Sequence, residues 1–290
     1  MRALMVGATG ANAGLLLPEL NKRGVTVRAL VRDGQRAATA RANGAAETAV
    51  GDLTDPESLA DAVASVDGVF HIGPAFAPTE AEMGVAMVRA AAAASVRKFV
   101  FSGVIHPSIL AMTNHAAKLP VEEALYDSGL DYTVLQPAMF MQNLAAIWPR
   151  IVERGEFAMP YSAAAKVCWV DYRDVAEVAA IALTGDRLSY GTFELCAPGL
   201  VDRNEMAAMI GDAIGRPVAA AETPLEDFAA GLPDGPIRDG MTRMMSHYDR
   251  HGFVGGNALV LRAILDREPR SLLDFFRELA AGPRGAAVNG

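Results

Sequence analysis

Just after the amino terminus the chain reads Val6-Gly7-Ala8-Thr9-Gly10-Ala11-Asn12-Ala13-Gly14, small residues at the spacing that carries a backbone past a diphosphate. Gly7 permits a tight turn, Gly10 lets backbone N–H groups approach a pyrophosphate, and Ala13 is small enough for the next helix to pack on the preceding strand. Thr9 and Asn12 stand in the same turn. A helix opening here points unpaired N–H groups and the positive end of its dipole at the anion. The chemistry implied is the binding of a nicotinamide dinucleotide.

Which nicotinamide cofactor follows from the end of the next apolar run. An acidic residue there accepts from a ribose 2′-hydroxyl, whereas a guanidinium suits a 2′-phosphate. This chain has Arg32, with Arg36 placed to reach the same phosphate through its planar donor fork. NADP(H) is therefore expected over NAD(H). The competing reading gives Asp33 the NAD role and leaves both arginines as solvated charges. Further on, Asp52 in Gly51-Asp52-Leu53-Thr54-Asp55 could accept from an adenine amino group, with Leu53 beside it, or could serve as a turn aspartate before Pro56. Gly73 and Pro74 offer backbone without bulk along a cofactor, and Ser102 and Pro137 close two later strands on the same side of the sheet.

Residues suited to hydride chemistry come next. His115 and Lys118 stand three apart in Asn114-His115-Ala116-Ala117-Lys118, hence on one helix face. Lys118 is expected to hold the nicotinamide ribose, and His115 or Lys118 to supply a proton. The alternative pairs Lys118 with Glu122 on a solvated face. Met139-Phe140-Met141-Gln142-Asn143 supplies soft apolar surface and amides for a flat ligand, with Phe140 and Asn143 lining the pocket. Phe76, Tyr161 and Trp169 are further substrate candidates. His247 and His251 have helical metal-ligand spacing without a third ligand to match, so no metal is expected.

These side chains need a scaffold. Apolar runs at Leu4–Val6, Val25–Val31, Glu47–Val50, Gly68–Ile72, Lys98–Phe101 and Tyr132–Gln136 alternate with helical patterns at 13–23, 35–43, 56–64, 79–94 and 114–127. That alternation predicts an α/β fold, a Rossmann-like doubly wound parallel sheet with helices on both faces. Residues 1–140 form its core and 141–281 a smaller, mostly helical substrate-side region interleaved with it, with strands at 167–170 and 192–195. Pro18 conflicts with the first helix unless that helix begins late. The end, 282–290, is read as a disordered tail. A chain of 290 residues with net charge −8 and no basic stripe is not a nucleic-acid binder. No apolar run reaches membrane-spanning length and the first strand begins at once, so the protein is expected to be cytoplasmic. Cys168 and Cys196 are read as small core residues.

Several longer stretches carry a resemblance. The chain resembles the NmrA-like branch of the atypical short-chain dehydrogenase/reductases in Gly7-Ala8-Thr9-Gly10, Ala29-Leu30-Val31-Arg32, Phe99-Val100-Phe101-Ser102-Gly103, Ser128 through Phe140, Val170 through Ala176, and Glu268-Pro269-Arg270. Gln136 stands where such proteins often carry Arg. The resemblance implies an NAD(P)-binding core and either a reductase or a cofactor sensor without turnover. Ordinary short-chain dehydrogenases use a Tyr-x-x-x-Lys helix; here Lys118 is present but Asn114 takes the tyrosine place. Reversible alcohol oxidation and epimerase chemistry are thereby disfavoured. The expected activity is NADPH-dependent hydride transfer to a small, flat, electron-poor acceptor such as a quinone or conjugated enone. The alternative is a non-catalytic NADP(H) sensor that acts through a protein partner.

Overall fold

The computed structural model describes residues 1–282; residues 283–290 of the expected tail lie outside them. Seven strands form one sheet: β1 (Arg2–Val6), β2 (Thr26–Val31), β3 (Glu47–Val50), β4 (Gly68–His71), β5 (Lys98–Ser102), β6 (Asp131–Pro137) and β10 (Gly191–Leu195), in the order β10-β6-β5-β4-β1-β2-β3. Every pairing in it is parallel. Buried parallel strands read as continuous apolar runs because both faces are covered, and their alternating side chains feed two cores. Met5, Val27, Ala29 and Val100 point to one; Leu4, Val69, Phe99 and Phe101 point to the other.

Helices α1 (Leu16–Lys22), α2 (Gly34–Ala42) and α8 (Tyr172–Thr184) cover the first face; α3 (Pro56–Val63), α4 (Glu80–Ala93) and α6 (Leu119–Tyr126) cover the second. Between α4 and α6 the backbones come close because Gly84 has no side chain: a Cβ there would lie 2.4 Å from Val121 Cγ2. A one-turn α5 (Thr113–Ala116) precedes α6.

The rest of the chain forms β7 (Met139–Phe140), α7 (Asn143–Arg154), β8 (Glu156–Met159), β9 (Val167–Val170), β11 (Leu200–Val201), α9 (Arg203–Ile214), β12 (Ala219–Glu222), α10 (Leu225–Ala230), α11 (Pro236–His251), α12 (Leu259–Leu265) and α13 (Leu272–Ala281). Strands β11, β9 and β7 make a small sheet, and β12 pairs with β8. The Asp174 carboxylate, buried in α8, accepts from Arg267 and Arg270 and from the Arg270 N–H at 2.8 Å, strapping the carboxyl-terminal segment to the core. Both cysteines are buried and free.

Three expectations need correction. The first helix begins at Leu16 after a single 3-10 turn (Ala13–Leu15), so Pro18 falls in its first turn, where N–H groups lack intrahelical partners anyway. The segment 114–127 is two helices, because Pro120 sits in the first turn of α6 and Lys118 is the residue before it. Residues 192–195 belong to the main sheet as its seventh strand, paired with β6. Among the described residues no helix is long and apolar enough to cross a membrane.

Candidate functional site

A groove of about 460 Å³ runs across the carboxyl ends of the central strands, a size and place typical of a ligand site in such sheets. Gly7, Thr9, Gly10, Asn12, Ala13, Arg32, Arg36, Asp52, Leu53, Gly73 and Pro74 all line it. Its floor depends on missing side chains. Gly7 has φ +85°, and a Cβ there would lie 2.8 Å from Ile72 Cγ2 and 3.1 Å from Ala13 Cβ; a Cβ on Gly10 would lie 3.2 Å from the Gly7 carbonyl oxygen. Asn12 precedes the 3-10 turn without a side-chain capping bond, and within the turn the Gly10 and Gly14 N–H groups donate to the Gly7 and Gly10 carbonyls at 2.8 and 2.9 Å.

At one end of the groove Arg32 and Arg36 are exposed. Asp33, the competing NAD residue, does not line the groove; it caps α2, accepting the Arg36 N–H at 2.8 Å. Asp52 does line it, and its Oδ1 accepts from the Thr54 N–H at 2.8 Å and the Thr54 hydroxyl at 2.7 Å. Those two bonds, aided by the charge on Arg32, hold its carboxyl below the usual range. Asp52 thus serves both as a turn aspartate and as a wall residue. Ile72, Met83 and Ala11 also line the groove and went unread, since apolar residues at strand and helix ends carry no signal that separates wall from core.

Lys118 borders neither this groove nor a smaller cleft beside it; it lies behind the Gly73 wall, against Glu80. Lys118 is 6% exposed, and its ammonium contacts the Glu80 Oε1. Burial pulls Lys118 down to about 8, while the Glu80 carboxylate against it favours the charged form. The second Glu80 oxygen accepts the Phe76 N–H at 3.2 Å. Phe76 also lines the smaller cleft, of about 300 Å³, with Glu80, Thr113, Ala117 and, from α11, Gly240 and Arg243. His71, at the end of β4, is fully buried with neither ring nitrogen bonded; burial, reinforced by the Lys118 charge, drops it to about 3.

The remaining candidates are scattered. His115 lies in α5 and its carbonyl accepts the Lys118 N–H at 3.0 Å, but its ring has partners other than those of Lys118. It is buried, donates through Nδ1 to the His106 carbonyl at 3.2 Å, and packs edge-on against Phe253. Burial lowers it to about 4, so it is neutral at pH 7 with one ring nitrogen committed to backbone. The Ser102 Oγ is buried without a partner, as is the phenol of Tyr172, whose ring meets Phe140 edge-on at 4.7 Å. Pro137 is buried at the end of β6. Asn143 is exposed at the start of α7. Tyr161 lies under the Arg203 guanidinium at 4.7 Å, and Trp169 is 1% exposed in β9; neither borders either cavity. His247 and His251 lie with ring centroids 4.8 Å apart, and among the described residues no third metal-ligating side chain joins them.

Residues 2–277 match the model of the NmrA-like family. The chain belongs to that family. Among its relatives is an NAD(P)H azoreductase of Xenophilus azovorans, 31% identical over 96% of this chain and 98% of the relative. In structure this NmrA-like chain is similar to an NADPH-dependent quinone oxidoreductase of Escherichia coli complexed with NADPH (TM-score 0.83, 23% identity, 96% and 99% of the two chains). It is also similar to the negative transcriptional regulator NmrA in complex with NADP (TM-score 0.78, 17% identity, 97% and 95%). The Rossmann-like core read from the sequence is thus the fold of the family.

Proposed function

We propose that the protein is an NADPH-dependent reductase that passes hydride to a small, flat, electron-poor acceptor of the quinone or conjugated enone class, acting in the cytoplasm. The observation that carries this reading is the groove, whose glycine floor a Cβ would fill and whose exposed end holds Arg32 and Arg36. Those residues fit an NADP cofactor: the turn at Gly7–Ala13 would take the pyrophosphate, Arg32 and Arg36 the 2′-phosphate, and Lys118 the nicotinamide ribose. When bound, the cofactor would supply the hydride. Support comes also from the azoreductase, alike over nearly the whole chain.

The chain's own contribution is positioning rather than proton transfer. No phenol stands at residue 114, and His115 is turned to a backbone carbonyl. A quinone or enone takes up hydride as a stabilised oxyanion and needs less acid assistance than a simple ketone. Phe76, with its ring at the smaller cleft, offers a face for such an acceptor. A second reading, a cofactor sensor acting on a protein partner, draws on the depth of Lys118 and on the NADP-complexed regulator of the same fold.

Single-turnover oxidation of NADPH against quinones, enones and azo dyes separates the two. Turnover of at least one class is expected, and Lys118→Ala should slow it by roughly ten- to a hundredfold through lost positioning. Tight NADPH binding with no turnover across the panel would decide for the sensor.

A further inference from the structure

We infer that Glu80 is a positioning residue of this site: one carboxylate fixes Lys118 for the nicotinamide ribose and, through its other oxygen, fixes Phe76 at the acceptor cleft. The inference rests on the reading that the groove takes NADPH and that Lys118 meets its ribose.

Glu80 opens α4 and is 2% exposed. A carboxylate at that depth persists only if its oxygens are engaged, and here both are. Oε1 is against the Lys118 ammonium, and Oε2 accepts the Phe76 N–H at 3.2 Å. The side chain lies directly behind the groove wall, since a Cβ on Gly73 would be 3.0 Å from both its Cγ and its Oε1. Phe76 is itself in an unusual backbone state, φ +66°, which a bulky aromatic adopts only when its surroundings hold it there. The surroundings are Glu80 on one side and Gly240 of α11 on the other, where a Cβ would come within 2.4 Å of the ring. Cofactor lysine and acceptor wall, 42 positions apart in the chain, are therefore joined through one side chain.

The groups around Lys118 leave it few other partners. From β4, His71 is neutral and unbonded. One turn along α6, Glu122 accepts from the Gln136 amide at 2.8 Å, and from α5 His115 is held by the His106 carbonyl. Among the described residues Glu80 is the carboxylate that pairs with Lys118. An ammonium has three N–H donors. Glu80 takes one, and two remain for the vicinal hydroxyls of a ribose. Without that carboxylate the buried lysine sheds its proton at a lower pH, and a neutral amine has fewer donors to offer.

The test is binding as a function of pH. Dissociation constants for NADPH and for 2′,5′-ADP, which has the 2′-phosphate and no nicotinamide half, are measured from pH 6 to 10 with the unmodified protein, Glu80→Gln and Glu80→Asp. Taking the ratio of the two ligands cancels titration of the phosphate. The unmodified protein should keep its preference for NADPH up to about pH 8 and lose it above, as Lys118 gives up its proton. Glu80→Gln should lose that preference at least one pH unit lower, so that near pH 7 it is tenfold or more below the unmodified protein, with 2′,5′-ADP binding following the unmodified protein. Glu80→Asp, which keeps the charge but falls short by one methylene, should shift in the same direction by less, and it carries the test should Glu80→Gln fail to fold. Superimposable pH profiles of the ratio in all three proteins would overturn the assignment, because a purely structural contact has no reason to depend on the protonation of Lys118. The readout needs no acceptor: a protein that binds in this pattern and reduces nothing would refute the reductase reading and leave the role of Glu80 standing.

Discussion

Arg32 makes no ion pair among the described residues and is exposed at the groove, where the sequence put it; a guanidinium at the end of the second strand can be proposed as a phosphate ligand without any tertiary contact. NADPH should bind more tightly than NADH, and Arg32→Ala should remove most of the difference. A charge-assisted contact to phosphate contributes about 1.5–3 kcal/mol, roughly ten- to a hundredfold in affinity. Calorimetric titration with both cofactors checks this, and equal affinities in the unmodified protein would refute it. Glu80 was illegible for the opposite reason. An acidic residue in the first turn of a helix ordinarily complements the dipole in solvent, and only the folded chain shows this one buried between Phe76 and Lys118. The spacing of His115 from Lys118 says nothing of the His106 carbonyl, nine residues earlier, to which its Nδ1 donates.

Elements were read well where their signals are local. The parallel strands follow from apolar runs only a few residues long. Close approach of two helices is not local, and Gly84 shows it. Alanine in its place would put a methyl group 2.4 Å from Val121 Cγ2 and 3.1 Å from its Cγ1, so α4 and α6 must part. Gly84→Ala should destabilise the protein by about 1–3 kcal/mol, as overpacking in a full core does, despite the better helix propensity of alanine. Because α4 begins at Glu80 and α6 follows Lys118, NADPH binding should weaken more than 2′,5′-ADP binding. Chemical denaturation together with the two titrations checks both parts, and an unchanged midpoint would show that the helices are looser than they look.

The molecule as a whole stores two histidines in neutral form. His71 is lowered to about 3 and His115 to about 4, against 6.5 in an unfolded chain. Below pH 6.5 the unfolded state therefore takes up protons that the native state refuses, and stability falls as pH falls toward those values. From pH 7 to pH 5 the loss is about 2 kcal/mol for each histidine, in a window above the range where lowered carboxylates add their own effect. His71→Phe should remove about half of that slope while leaving stability at pH 8 little changed or raised, since an unbonded polar ring leaves the core. Unfolding midpoints at pH 5 and 8 measure it, and an unaltered slope would place the proton uptake elsewhere. At this scale the sequence was least informative. Six strands were expected in the sheet and seven are present, because the last one, Gly191–Leu195, is separated from its partner β6 by a stretch whose own pattern reads as a different region.

That late strand has a consequence for how the chain is made. Until residues 191–195 leave the ribosome, β6 is an apolar outer strand with an open row of backbone donors and acceptors, the kind of edge along which unfinished chains join one another. Its partner follows roughly 50 residues later, several seconds at a synthesis rate of about 5–20 residues per second. A nascent chain in that interval is a substrate for chaperones, and a gene fragment cut near residue 140 would hold the whole nucleotide groove and still express as aggregate.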